Sequence, residues 1–163
     1  MTAGFESRKG FLVCISGPSR AIDAETGTAF ANSAECIRIL NLVSDVVELA
    51  FTNSRAARSE WSNAGLPPCN VVPTRRREMS VCLSELMSRG YAGRATLMIG
   101  CGAHDRDAAI SLGAFFYAIL PGQEAACWRE LQEEALPKFL HGTFNETYQK
   151  MLIARHDSVI KET

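Results

Sequence analysis

The sequence predicts an α/β domain, a three-layer α/β/α sandwich of Rossmann-like type around a five-stranded, mainly parallel sheet. Three observations carry that expectation. Short apolar runs alternate with stretches of helical period, the pattern of βα units joined into a parallel sheet. With 163 residues and 47% hydrophobic composition, the chain is long enough for one packed core and short for two, so residues 1–163 are read as one domain. After Leu120 the alternation stops and two helical segments follow, which puts the sheet core at about 11–120 and a helical tail at about 123–161.

The first strand is Phe11 to Ser16, an unbroken apolar run of the kind buried on both faces. Gly17 to Phe30 shows no period and reads as a loop. The second strand is Val46 to Thr52. About 36 positions separate Ser16 from Thr52, room for one loop and one helix but not for a large inserted cap. Ser54 is placed to cap a helix running through Trp61 to Gly65, where glycine tolerates a left-handed stop and Pro67 and Pro68 prevent continuation.

A short third strand, Asn70 to Val72, leads to a helix from about Arg77 to Arg89. Its apolar positions are Val81, Leu83 and Leu86, and Gly90 stops it. Thr96 to Gly100 and Ala114 to Leu120 complete the sheet. In the tail, Trp128, Leu131, Ala135 and Phe139 recur at helical spacing within Gln123 to Leu140, a packing stripe rather than a cofactor box. Pro137 is expected to kink or end that helix, and a last one runs from Phe144 to Ile160.

Charge and cysteine usage narrow the function. Lys and Arg total 17 against 18 Asp and Glu, a net charge of −1, so no cationic surplus is available for a nucleic-acid backbone. The six cysteines form no C-x-x-C pair and several sit in apolar patterns, which favours reduced thiols and a cytoplasmic location over a disulfide frame. No apolar run approaches a membrane span or signal pattern. His104, His141 and His156 lack the spacing of a structural zinc site.

Parallel sheets bind ligands beyond the carboxyl ends of their strands. The decisive residues are therefore Ser16-Gly17-Pro18-Ser19, Thr52-Asn53-Ser54, Pro73-Thr74-Arg75 and Cys101-Gly102-Ala103-His104-Asp105. Arg75, Arg76 and Arg77 open a helix whose dipole disfavours each cation by about 0.3–1 kcal/mol. That misfit points to a nearby anion or acidic partner, with a solvated loop as the plainer account. Thr52 and Asn53 fit an anion site or simply a strand end and cap. Asp105 and Asp107 stabilise a helix start with or without a metal. Cys101 beside His104 is the pattern of a thiolate activated by imidazole, against the blander reading of a small filler and a surface histidine.

The strand ends also carry a resemblance. FLVCIS, AFTNSRAARSEWSNAGL and LMIGCGAHDRDAAISLGAFFYAILPGQEAACWRELQEEALPKFLHGTFNETYQ occur in an order and spacing similar to the haloacid dehalogenase superfamily. The likeness is greatest to a bacterial branch whose first strand reads like FLVCID followed by a second acid. It covers most of the chain from Val46 onward and reaches back to the first strand. The resemblance implies a phosphohydrolase ancestry, with an aspartate nucleophile after the first strand and a second aspartate two residues on. It further implies a Ser or Thr after the second strand, a basic residue near the third and acids after the fourth. Carried over by position, these fall on Ser16, Pro18, Thr52, Met79 and the pair Cys101 and Asp105, with Arg75, Arg76 or Arg77 as alternatives to Met79.

The departures act in one direction. Serine supplies no carboxylate for attack on phosphorus, proline cannot act as a general acid, and a soft thiol replaces a hard oxygen ligand for magnesium. The expectation is a catalytically silent or repurposed member of the fold with no intact catalytic set and no resident cofactor or metal. Asp105 is the one weak metal candidate, and Mg2+ enters only under the alternative of a weak or altered phosphohydrolase using Asp105, Thr52 and an arginine. Thiol chemistry at Cys101 is the third reading. The partners left open are a small anionic ligand, another protein or a second copy of the chain.

Overall fold

A computed structural model describes residues 9–17 and 21–162. The five strands are β1 (Leu12–Ser16), β2 (Asp45–Ala50), β3 (Asn70–Pro73), β4 (Thr96–Gly100) and β5 (Phe115–Ala118). They lie in the order β3-β2-β1-β4-β5, and every adjacent pair is parallel. The order reverses at β1, which both extends the sheet towards β2 and pairs with β4. That reversal opens a crevice at the carboxyl ends of β1 and β4. β1, β2 and β4 are buried throughout, as strands covered on both faces are, although β2 carries Asp45 and Glu48 within its apolar run.

The helices are α1 (Ser33–Val43), α2 (Ser54–Asn63), α3 (Met79–Met87), α4 (Ala103–Ser111), α5 (Glu124–Glu130), α6 (Leu136–His141) and α7 (Glu146–Glu162). Right-handed crossovers place α1 and α2 on one face and α3 and α4 on the other, because the chain moves in opposite directions from β1. α5 joins α1 on the first face, while α7 packs on β5.

Several boundaries differ from the sequence expectation for local reasons. β2 ends at Ala50, since Phe51 and Thr52 leave the sheet for the turn into α2. Asn53, not Ser54, caps that helix: its side-chain oxygen accepts the Ala56 amide at 2.8 Å. Gly65 does take the left-handed conformation at its end, with φ +83°. The loop after β1 is not wholly irregular, for Ile22 and Ala29 form an antiparallel bridge. The three arginines lead into a tight 3-10 turn, Arg76–Glu78, ahead of α3. In α3 the buried stripe is Met79, Leu83 and Leu86. Val81 is 71% exposed, because a residue two positions from Leu83 faces away from it.

Pro137 does not end the tail helix. A π-helical turn, Leu131–Ala135, joins α5 to α6 in one continuous run, and Pro137 is the second residue after that turn. Trp128, Leu131, Ala135 and Phe139 are all buried, as their spacing predicts. α7 begins two residues later than expected, where the Asn145 side chain accepts the Tyr148 amide at 3.0 Å.

One contact from α7 closes the sheet. The Gln149 side chain donates to the Phe116 carbonyl and accepts from the Phe116 amide, both at 2.8 Å, so a side-chain amide stands where a neighbouring strand would. Removing it leaves two buried peptide groups without partners. Gln149→Ala is therefore expected to lower stability by about 2–3 kcal/mol, read as a shifted urea midpoint at unchanged slope.

Candidate functional site

The crevice at the β1 and β4 ends holds a cavity of about 130 Å³ lined by Ser16, Phe51, Arg76, Cys101, Gly102, Ala103, His104 and Asp105. Ser16 is the last residue of β1 and Cys101 follows β4 directly, so the paired strands deliver both side chains to the same opening. Asp105 arrives from the first turn of α4 and is 6% exposed.

The Asp105 carboxyl is the hub of the site. One oxygen accepts the Ser16 hydroxyl at 2.7 Å. The other accepts the backbone amides of Cys101 at 3.1 Å and Gly102 at 3.2 Å. Gly100 is required beside it: a Cβ there would stand 2.3 Å from the second oxygen and 2.7 Å from the carboxyl carbon. Gly100→Ala must push Asp105 out of these bonds and is expected to cost about 1–3 kcal/mol, measurable by thermal unfolding.

Arg76 supplies the positive wall. Its guanidinium lies 5.2 Å from the ring centroid of Phe51, a cation–π contact across the mouth. The start of α4 adds amide donors and the positive end of a helix dipole at Ala103 and His104. From beneath, His156 of α7 is 1% exposed and its Nε2 hydrogen-bonds the Cys101 carbonyl, so the last long helix fixes the loop that carries the thiol. The His156 ring also packs edge-on against Phe116, with centroids 5.2 Å apart.

The residues singled out from sequence divide into three groups. Ser16, Cys101, Asp105 and Arg76 share the cavity, and His104 stands on its rim. Thr52, Arg75 and Arg77 are exposed and do not line it, while Asn53 is committed to the α2 cap. Met79 is 1% exposed within the hydrophobic core and does not line it either. Its position at the start of α3 points it into the sheet, leaving Arg76, one 3-10 turn earlier, as the basic residue at the opening. Pro18 lies outside the described residues.

The sequence expectation includes neither Phe51 at the mouth nor the part His156 plays beneath it. Phe51 had a local signal, as the aromatic that leaves the sheet just after β2. His156 had none, being 55 positions from the carbonyl it holds.

No three His, Cys, Asp or Glu side chains converge into a possible metal cluster among the described residues. At this mouth one carboxyl, one hydroxyl, one thiol and the rim imidazole of His104 come together, and the carboxyl oxygens are already engaged by an O–H and two N–H groups. That donor set fits a hard octahedral cation poorly.

No family model matches the chain, and no curated protein matches it in sequence. Among solved structures it is similar to the cobalt-bound deoxy-D-mannose-octulosonate 8-phosphate phosphatase of Haemophilus influenzae. The TM-score is 0.54 at 15% identity, over 88% of this chain and 98% of that one. The chain has a haloacid dehalogenase-like fold. At this identity the likeness carries the fold and not the reaction. No helix among the described residues is long and apolar enough to cross a membrane.

Proposed function

We propose that this haloacid dehalogenase-like domain holds a small anion at the β1–β4 mouth without hydrolysing it, as a catalytically silent binding domain. The observation that carries this reading is the Ser16 hydroxyl donating to Asp105 at 2.7 Å. A nucleophilic carboxylate in that place would attack phosphorus directly. A serine whose O–H donates a hydrogen bond to a buried carboxyl is instead a structural strut.

Charge argues the same way. Two carboxylates facing each other repel unless a cation sits between them, whereas a hydroxyl and a carboxyl attract. The Ser16–Asp105 pair thus needs no divalent ion between its members, and the cation lining the mouth is Arg76. An oxyanion there meets the guanidinium and the first amides of α4, all donors. The phosphate contact expected of Thr52 passes to Arg76 in this reading.

The test pairs binding with turnover. Inorganic phosphate titrated by calorimetry should bind with a weak affinity that is the same with and without magnesium and is lost in Arg76→Ala. Generic phosphate monoesters with magnesium should be hydrolysed no faster than in buffer. Magnesium-dependent turnover that disappears in Asp105→Asn would hand the site to the hydrolase reading. Rapid stoichiometric alkylation of Cys101 at neutral pH would hand it to thiol chemistry.

A further inference from the structure

A second group of residues lies away from the mouth. Glu48 occupies the middle of β2, is 0% exposed, and neither of its carboxyl oxygens has a hydrogen-bond partner. A buried carboxyl without partners is costly even when neutral, and far more so when ionised. Such a group in the centre of a sheet asks for a reason.

Its neighbours define the setting. Glu48 is in register with Ile15 of β1 and Val71 of β3, so its side chain leaves the sheet on the same face as theirs. Val71 lines a cleft of about 290 Å³ together with Arg58, Trp61, Leu66, Pro68 and Cys69. The Trp61 indole N–H donates to the Pro67 carbonyl at 2.6 Å and closes the turn over this cleft.

The titratable groups facing Glu48 give no counter-charge in contact with it. From α2, Glu60 repels its ionised form, and from the turn before β3 the Cys69 thiol, pushed up to about 12 chiefly by burial, stays neutral. Arg58 of α2 lies at the cleft and acts on Cys69. From α1 the titratable side chain turned inward is the Cys36 thiol, also raised to about 12 by burial, while Glu35 and Arg38 pair with each other at the surface. β1 and β3 contribute Ile15 and Val71. Burial, with Glu60 second, raises the Glu48 carboxyl to about 7.

We infer that Glu48 is a proton-operated latch: protonated, it lets α2 and its turn close on the sheet, and ionised, it opens the cleft to water. Ionisation demands solvation, and the opening on this face is the cleft lined by Trp61, Cys69 and Val71, the last being the β3 partner of Glu48. The folded carboxyl is raised above its unfolded value. The closed state is therefore fully favoured below the ordinary carboxylate range and is lost progressively as pH rises towards and through 7.

Two readouts on the full chain test this. Trp61 and Trp128 are the two tryptophans, and Trp128 is fully buried on α5, so Trp128→Phe leaves an emission signal from the cleft alone. In that background the emission should shift to the red as pH rises from the ordinary carboxylate range towards and through 7. Over the same range, amide protection in α2, corrected for intrinsic exchange, should fall about tenfold while β4 stays protected. Glu48→Gln should abolish both changes, and Glu60→Gln should move the midpoint to lower pH by relieving repulsion. Flat emission and exchange in the unsubstituted latch would overturn the inference. A transition that persists unchanged in Glu48→Gln would overturn it as well.

Discussion

Asp105→Ala is expected to destabilise the domain by about 3–5 kcal/mol, whereas Asp105→Asn should cost about 1 kcal/mol. Alanine strands three donors at once: the Ser16 hydroxyl and the amides of Cys101 and Gly102. All three face a space that Gly100 leaves open only for this carboxyl. Asparagine can keep every bond. Its carbonyl turns to the two amides, its NH2 donates to Ser16, and the serine changes from donor to acceptor. Urea denaturation of the two variants beside Ser16→Ala, which loses one bond, separates a structural hub from a catalytic acid. If alanine and asparagine prove equally damaging, the carboxyl's charge matters more than its hydrogen-bond geometry.

The second large effect is a gain. Ser16→Asp combined with Cys101→Asp should make the domain's stability depend on magnesium. Without the ion, three carboxyl groups would crowd one cavity, and repulsion together with the lost Ser16 bond should cost about 2–4 kcal/mol. A divalent ion offsets that repulsion, and at about a hundredfold excess over its dissociation constant it returns about 2.7 kcal/mol. Thermal unfolding with and without magnesium should diverge for the double variant and coincide for the natural chain. Coincident curves for the double variant would show that the mouth has lost its metal geometry as well as its metal ligands. A magnesium-dependent rise in the natural chain would contradict the proposed anion site.

The sequence showed the sheet more clearly than the site. Phe11 to Ser16 and Thr96 to Gly100 stand out because a strand buried on both faces needs no alternation, and the structure buries Leu12–Ser16 and Thr96–Gly100 in full. Boundaries slipped where one side chain decides them, as when Asn53 rather than Ser54 takes the cap. Ser16, Cys101 and Asp105 could be placed at the mouth because strand ends dictate it. The choice among the arginines and Met79 could not, since a 3-10 turn ahead of α3 rotates each residue to a different side. Glu48 left no mark either. Its neighbour Glu60 is twelve positions away on the next helix, and a lone acid in an apolar strand looks like any interruption until burial is known.

The glutamine at the β5 margin has a further consequence, for biosynthesis. Until residue 149 has left the ribosome, the amide and carbonyl of Phe116 have no partner, and the half-made sheet offers an adhesive rim to neighbouring nascent chains. Sealing comes late, when the final helix settles. Premature termination anywhere short of that helix should therefore yield insoluble product rather than a smaller soluble domain.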